Sequence, residues 1–164
     1  MKTRSILSFL LLMCSFAYAQ KNMAKPKIAG TYTLLVVDNI KPDGSRVHLY
    51  GDHPKGILMF DTAGNYSLQI LSANRPKFQS GDKSKGTDEE NRQAIRGSNT
   101  HFGRYSADDS KHTITFMIDH ASFPNWEGTT QVRPFEFDGK VFKYTVPSPT
   151  TGGAATGEVI WEKQ

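Results

Sequence analysis

Short runs of β-branched and aromatic residues, each closed by a turn signal, recur at regular spacing from Thr31 to Glu162, and no other feature constrains the fold as tightly. The runs are Thr31 to Val37, Arg46 to Tyr50, Gly56 to Phe60, Tyr66 to Leu71, Thr100 to Ser106, His112 to His120, Val132 to Phe137, Lys140 to Val146 and Glu158 to Glu162. Between them stand Lys41-Pro42-Asp43-Gly44, Asp61-Thr62-Ala63-Gly64-Asn65, Asp108-Asp109-Ser110-Lys111 and Asp138-Gly139, all composed of turn residues. About eight or nine antiparallel strands joined by short hairpins form either a two-sheet sandwich or a closed barrel, and the pattern alone admits both.

One stretch departs from this rhythm. Ser72 to Ser98 is long, polar and rich in Gly, Lys and Pro. Thr87-Asp88-Glu89-Glu90 within it is a capping box, helix formers follow to Arg96, and Gly97 is a suitable stop, so a short helix is expected over 88–96. Two readings fit an excursion of this length: a lid over the barrel mouth, or a solvated helix that plugs one end.

The first residues do not belong to this pattern. Lys2 and Arg4 precede an apolar run from Ile6 to Phe16, and Ala17-Tyr18-Ala19 offers small residues where a signal peptidase reads. The run falls short of the ~20 residues needed to cross a bilayer. A signal peptide over 1–19, a disordered leader over 20–27 and one folded domain over 28–163 are therefore expected, with export to the periplasm or the medium. Lipoprotein anchoring through Cys14 is the lesser alternative, because Met13 stands where a small residue is wanted. Cys14 is the only cysteine, so the processed domain has no disulfide and no thiol chemistry. Loss of Lys2 and Arg4 also lowers the formal net charge from +4 to +2. No basic run interleaved with aromatics points to nucleic acid, and no later apolar segment is long enough to span a membrane.

Alternation assigns the faces. With a two-residue turn at Asp138-Gly139, Phe137 would pair with Lys140, Phe135 with Phe142, and Arg133 with Tyr144. Arg133, Phe135, Phe137, Phe142 and Tyr144 then share the apolar, inward face, followed at the same parity by Gln131 and Thr129. On the 112–120 run, Ile114, Phe116 and Ile118 share a face with His120, which is thereby expected to point inward. An inward charge costs several kcal/mol unless paired or wet, so Arg133 and His120 predict a polar, hydrated end to an internal cavity. The rival reading has each side chain simply bonding a nearby carbonyl or Glu127. Trp126 reads as core or rim packing, or as a platform for a ligand, and Trp161 as core.

Several blocks resemble a known family. Gly30-Thr31-Tyr32 resembles the Gly-x-Trp opening of lipocalins, with Tyr in place of Trp. Gly56 to Ser67 is similar to the second hairpin of the bacterial and fungal lipocalin-like domain family, and Arg75 to Asp82 to its loop before the helix. Gly103-Arg104-Tyr105, Phe123 to Arg133 and Ala155 to Glu162 are similar to its later signatures. The resemblance spans about residues 28–163 and implies an all-β, antiparallel up-and-down lipocalin-like barrel of eight or nine strands with one short helix. It implies one small ligand inside and carries over no catalytic residues.

The expected function is that of an exported barrel holding a small hydrophobic or amphipathic molecule, with His120, Arg133, Gln131, Thr129, Arg104, Phe135, Tyr144 and Trp126 as candidate ligand contacts. One alternative is an isomerase- or cyclase-type enzyme using His120 or His101 as proton shuttle and Arg104 or Arg133 to stabilise an enolate or carboxylate. Another is an accessory domain with a filled core. No nucleophile elbow, zinc-spaced histidine pair or phosphate loop is visible, and no cofactor or metal is expected.

Overall fold

The computed structural model describes residues 27–150 and 154–164, so the signal-peptide and leader assignments lie outside the described residues. Among the described residues nine strands form one antiparallel sheet: β1 (Gly30–Ile40), β2 (Arg46–His48), β3 (Lys55–Phe60), β4 (Asn65–Leu71), β5 (Ser98–Asp108), β6 (Thr113–Ala121), β7 (Thr130–Phe137), β8 (Val141–Val146) and β9 (Thr156–Lys163). Neighbours follow chain order, and β1 also pairs with β9, which closes eight strands into an up-and-down barrel and excludes the sandwich. The three-residue β2 lies outside that ring, folded back on the end of β1.

One end of the barrel is packed solid. Tyr32, Leu58, Phe60, Tyr105, Phe142 and Trp161 are among its buried side chains. Phe142 meets Tyr32, Phe60, Phe135, Phe137 and Tyr144 at ring-centroid distances of 5.5–6.4 Å, in tilted or edge-on geometry. The Tyr32 hydroxyl donates to the Ile28 carbonyl at 2.7 Å and that of Tyr105 to the Asp61 carbonyl at 2.7 Å, so neither phenol is stranded in the core.

The β7–β8 register differs from expectation by two residues. Phe137 pairs with Phe142 and Phe135 with Tyr144. The tight turn centres on Gly139-Lys140, because the Asp138 carboxylate accepts from the amides of Lys140 and Val141 at 2.8 and 2.7 Å and pulls the turn one residue onward. Gly139 takes φ +102°, a conformation that favours glycine. A slip of two leaves every side chain on its original face, so the inward set is unchanged.

The expected helix is present as α1 (Asp88–Arg96). Its capping box is complete: the Glu90 amide donates to Thr87 Oγ1 at 3.2 Å, and the Thr87 amide to Glu90 Oε2 at 2.8 Å. Glu90 Oε1 also accepts from the Gln79 amide at 2.8 Å, fastening the preceding loop. No residue of α1 is buried, and Ile95 is 68% exposed. The helix lies against β5, outside the wall.

Candidate functional site

The other end of the barrel holds a cavity of about 420 Å³. Its walls come from strand ends: Val37, Asp38 and Asn39 of β1, Ile70 of β4, Asn99 of β5, Gln131, Val132 and Arg133 of β7, Tyr144 and Val146 of β8, and Gly157 and Val159 of β9. Leu49, Tyr50, Trp126 and the 147–150 loop complete the rim, and no α1 side chain takes part among the described residues.

Arg133 is the polar centre of this cavity. It pairs with Ile114, which is fully buried, and alternates with buried Phe135, so the β pleat drives it inward. Only 6% of the residue is exposed. Its guanidinium donates to the Gln131 side-chain carbonyl and lies 5.3 Å from the Phe116 ring centroid and 5.0 Å from that of Tyr144. Burial raises the Tyr144 phenol above its ordinary range although Arg133 opposes the shift, so Tyr144 is a neutral phenol at physiological pH. Tyr50 is likewise raised by burial, with a hydrogen bond from Asn99 opposing. Asn99 Oδ1 is buried and accepts no hydrogen bond among the described residues.

In ring contact with Trp126 is His101, which the sequence offered only as an alternative proton shuttle and which the alternation of β5 turns inward. His101 shares parity with Tyr105 and is 2% exposed. Its Nδ1 is 2.7 Å from the Tyr66 hydroxyl, and the rings of Tyr66, Phe116 and Trp126 pack edge-on around it. Burial, reinforced by the nearby positive charge of Arg133, pushes its pKa down to about 3. His101 is thus a neutral imidazole at physiological pH.

Four of the eight residues singled out from sequence line the cavity: Arg133, Gln131, Tyr144 and Trp126. The others do not. His120 points to solvent with its side chain 68% exposed, 3.4 Å from Glu127, as the rival reading had it. The cause is a bulge: Phe102 pairs with His120 but Gly103 with Ile118, so Asp119 is an extra residue and parity flips after Ile118. Gly103 permits the bulge, since a Cβ there would lie 2.1 Å from the Met117 carbonyl oxygen. Thr129 precedes β7, is exposed, and donates to the Trp126 carbonyl at 2.7 Å, so it shapes the turn rather than the cavity. Arg104 alternates with Tyr105, faces outward and donates to the Ala63 carbonyl at 3.1 Å. Phe135 is buried, but away from the cavity walls.

A second polar cluster went unread. Asp38 is buried, its side chain 3% exposed, and its carboxylate lies 2.6 Å from His48 Nδ1 and 3.1 Å from Arg46, which also reaches Glu158 at 2.6 Å. Asp38 stands opposite His48 on β2 and Glu158 on β9, so one sheet face brings them together. A bulge at Leu35, between the pairs Leu34–Trp161 and Val36–Ile160, resets the parity of β1 and conceals this arrangement from simple alternation. Among the described residues no group of three or more His, Cys, Asp or Glu could hold a metal ion, and no helix is long and apolar enough to cross a membrane.

The comparisons agree with this architecture. The chain is similar to the 4'-hydroxy-3'-methoxypropiophenone carrier protein ppsC of Aspergillus oryzae, with 28% identity over 89 residues, 51% of this chain and 80% of that protein. The lipocalin-like domain model matches residues 29–164, the whole of the closed barrel. With eight strands closed around a partly hollow interior and that match running from end to end, the chain belongs to the lipocalin-like domain family.

Proposed function

We propose that the protein is a small-molecule binder that holds one largely apolar molecule in the open half of its barrel. The observation that carries this reading is the 420 Å³ cavity, of ligand-pocket size, at one end of a barrel whose other end is filled. Arg133, Gln131, Tyr144 and Trp126 are the side chains we assign to ligand contact. Val37, Ile70, Val146 and Val159 supply apolar wall, and Asn99 offers a buried acceptor for a hydroxyl or amine. The similarity to a protein named as a carrier of an aromatic ketone supports the same class of function.

The neutral fluorophore N-phenyl-1-naphthylamine tests it. Binding inside the barrel brightens and blue-shifts its emission and draws energy from Trp126, which lines the cavity. A Val159→Trp change, which fills the cavity from β9, abolishes the signal; equal binding by this variant would refute the internal site. We further propose export with cleavage after Ala19, checked by N-terminal sequencing of the mature protein, which should begin at Gln20.

A further inference from the structure

We infer that the natural occupant is an organic anion, a carboxylate on an apolar body, whose charged head pairs with Arg133. This rests on the binding reading above and goes beyond it by fixing the ligand's charge.

The inference follows from how each buried polar residue is neutralised. Asp38, Asn39, His101 and Arg133 are the buried polar or charged side chains among the described residues. Asp38 also lines the cavity, but its carboxylate is engaged by two basic side chains, Arg46 and His48. His101 is bonded to a phenol and Asn39 has no charge. Arg133 differs: it carries a permanent positive charge, and among the described residues no carboxylate forms an ion pair with it. What surrounds it is an amide carbonyl, two aromatic faces and a neutral phenol. A charge removed from water without an opposite charge is destabilising by several kcal/mol, and a barrel built only for a neutral cargo would have no use for it. The one direction left to the fork is the cavity, because Arg133 is among the cavity's lining residues.

A carboxylate suits the place better than a phenol. The planar guanidinium offers paired donors that match two carboxylate oxygens. A simple phenol, by contrast, titrates near 10 and would arrive neutral. Val37, Ile70, Val146 and Val159 take the apolar body, with Trp126 and Tyr50 at the rim. A volume of about 420 Å³ suits an aryl or short alkyl body better than a long chain, given that Phe60, Phe142 and Tyr32 are buried in the far half of the barrel.

The experiment uses two probes with one aromatic skeleton: 1-anilinonaphthalene-8-sulfonate, an anion, and N-phenyl-1-naphthylamine, which lacks the sulfonate. Both are titrated into the protein and its Arg133→Met and Arg133→Lys variants. Naphthalene-2-carboxylate and its methyl ester serve as displacers. Arg133→Met should weaken the anionic probe at least about tenfold, as expected for loss of a charge-assisted contact, while the neutral probe changes by less than about threefold. Arg133→Lys should restore part of the loss. The carboxylate should displace the anionic probe from the wild type at least about tenfold better than the ester, and that preference should vanish in Arg133→Met. Retained binding of the neutral probe shows the variant is folded with its cavity intact. If both probes bind and Arg133→Met affects neither, or both equally, the anion inference is overturned while internal binding stands. If neither probe binds the wild type, the binding reading falls and this inference with it.

Discussion

Acidification to pH 4.5 should destabilise this barrel through one residue, His101. In the unfolded chain its imidazole takes a proton near 6.5, whereas in the barrel burial and Arg133 hold the proton off until about pH 3. The unfolded state therefore binds more protons throughout the interval between these values. The stability this provides is complete above 6.5 and drains away as pH falls toward 3. Each pH unit in that interval is worth about 1.4 kcal/mol, so lowering the pH from 7 to 4.5 removes about 2–3 kcal/mol. His48 works the other way: Asp38 raises its pKa, so its contribution is fully present below 6.5 and is lost as pH rises through the folded value. Carboxylates held low by hydrogen bonds, such as Asp61 and Asp108, act only below the chosen range. Urea unfolding of the wild type and His101→Gln at pH 7 and 4.5 isolates the effect, since His48 and the carboxylates are common to both. His101→Gln starts less stable but should lose about 2–3 kcal/mol less on acidification. An equal loss in the two proteins would refute the assignment.

Three further outcomes are expected. Phe142→Ala, at a fully buried ring with five aromatic neighbours, should lower stability by about 3–5 kcal/mol, read from the urea midpoint. Gly103→Ala places a methyl 2.1 Å from one backbone oxygen and 2.8 Å from the Asp119 amide nitrogen, so it should cost about 3 kcal/mol or abolish folding, with amide protection lost first between β5 and β6. Thr87→Ala should weaken the helix by about 1 kcal/mol and speed hydrogen exchange within α1 while leaving the barrel amides unchanged.

The strands and the helix were legible because their signals are local. Thr87 with Glu90 marks a helix start, and turn residues mark each strand end, whatever the chain does elsewhere. Barrel closure was not local: it depends on β1 meeting β9 across the whole domain, and only the family resemblance pointed to it. Arg133 could be placed because alternation runs unbroken along β7 from Phe137 to Gln131. His120 could not, because the extra residue at Asp119 leaves no mark on the hydrophobic pattern; the nearest signal was Gly103, a glycine in the middle of a strand. Asp38 was hidden by the same device at Leu35. Alternation thus placed Arg133 and Gln131, the bulge misled it at His120, and it could not tell which inward residues, such as Phe135, belong to the filled end rather than to the cavity.

The way β1 parts from β3 has its own consequence. The two strands are paired only from Gly30 to Thr33, and beyond that point the vacated flank of β1 is covered by β2, Leu49 and Tyr50. This patch hangs from a three-residue ladder, the Leu49 amide on the Val37 carbonyl at 3.1 Å, and the grip of Asp38 on Arg46 and His48. On its other flank β1 is paired with β9 from Tyr32 to Ile40, with a bulge at Leu35, and this longer ladder closes the barrel. The ribbon's three pairs with β1 are separate from the β1–β9 ladder, so the contacts that cover this flank and the contacts that close the barrel are different ones.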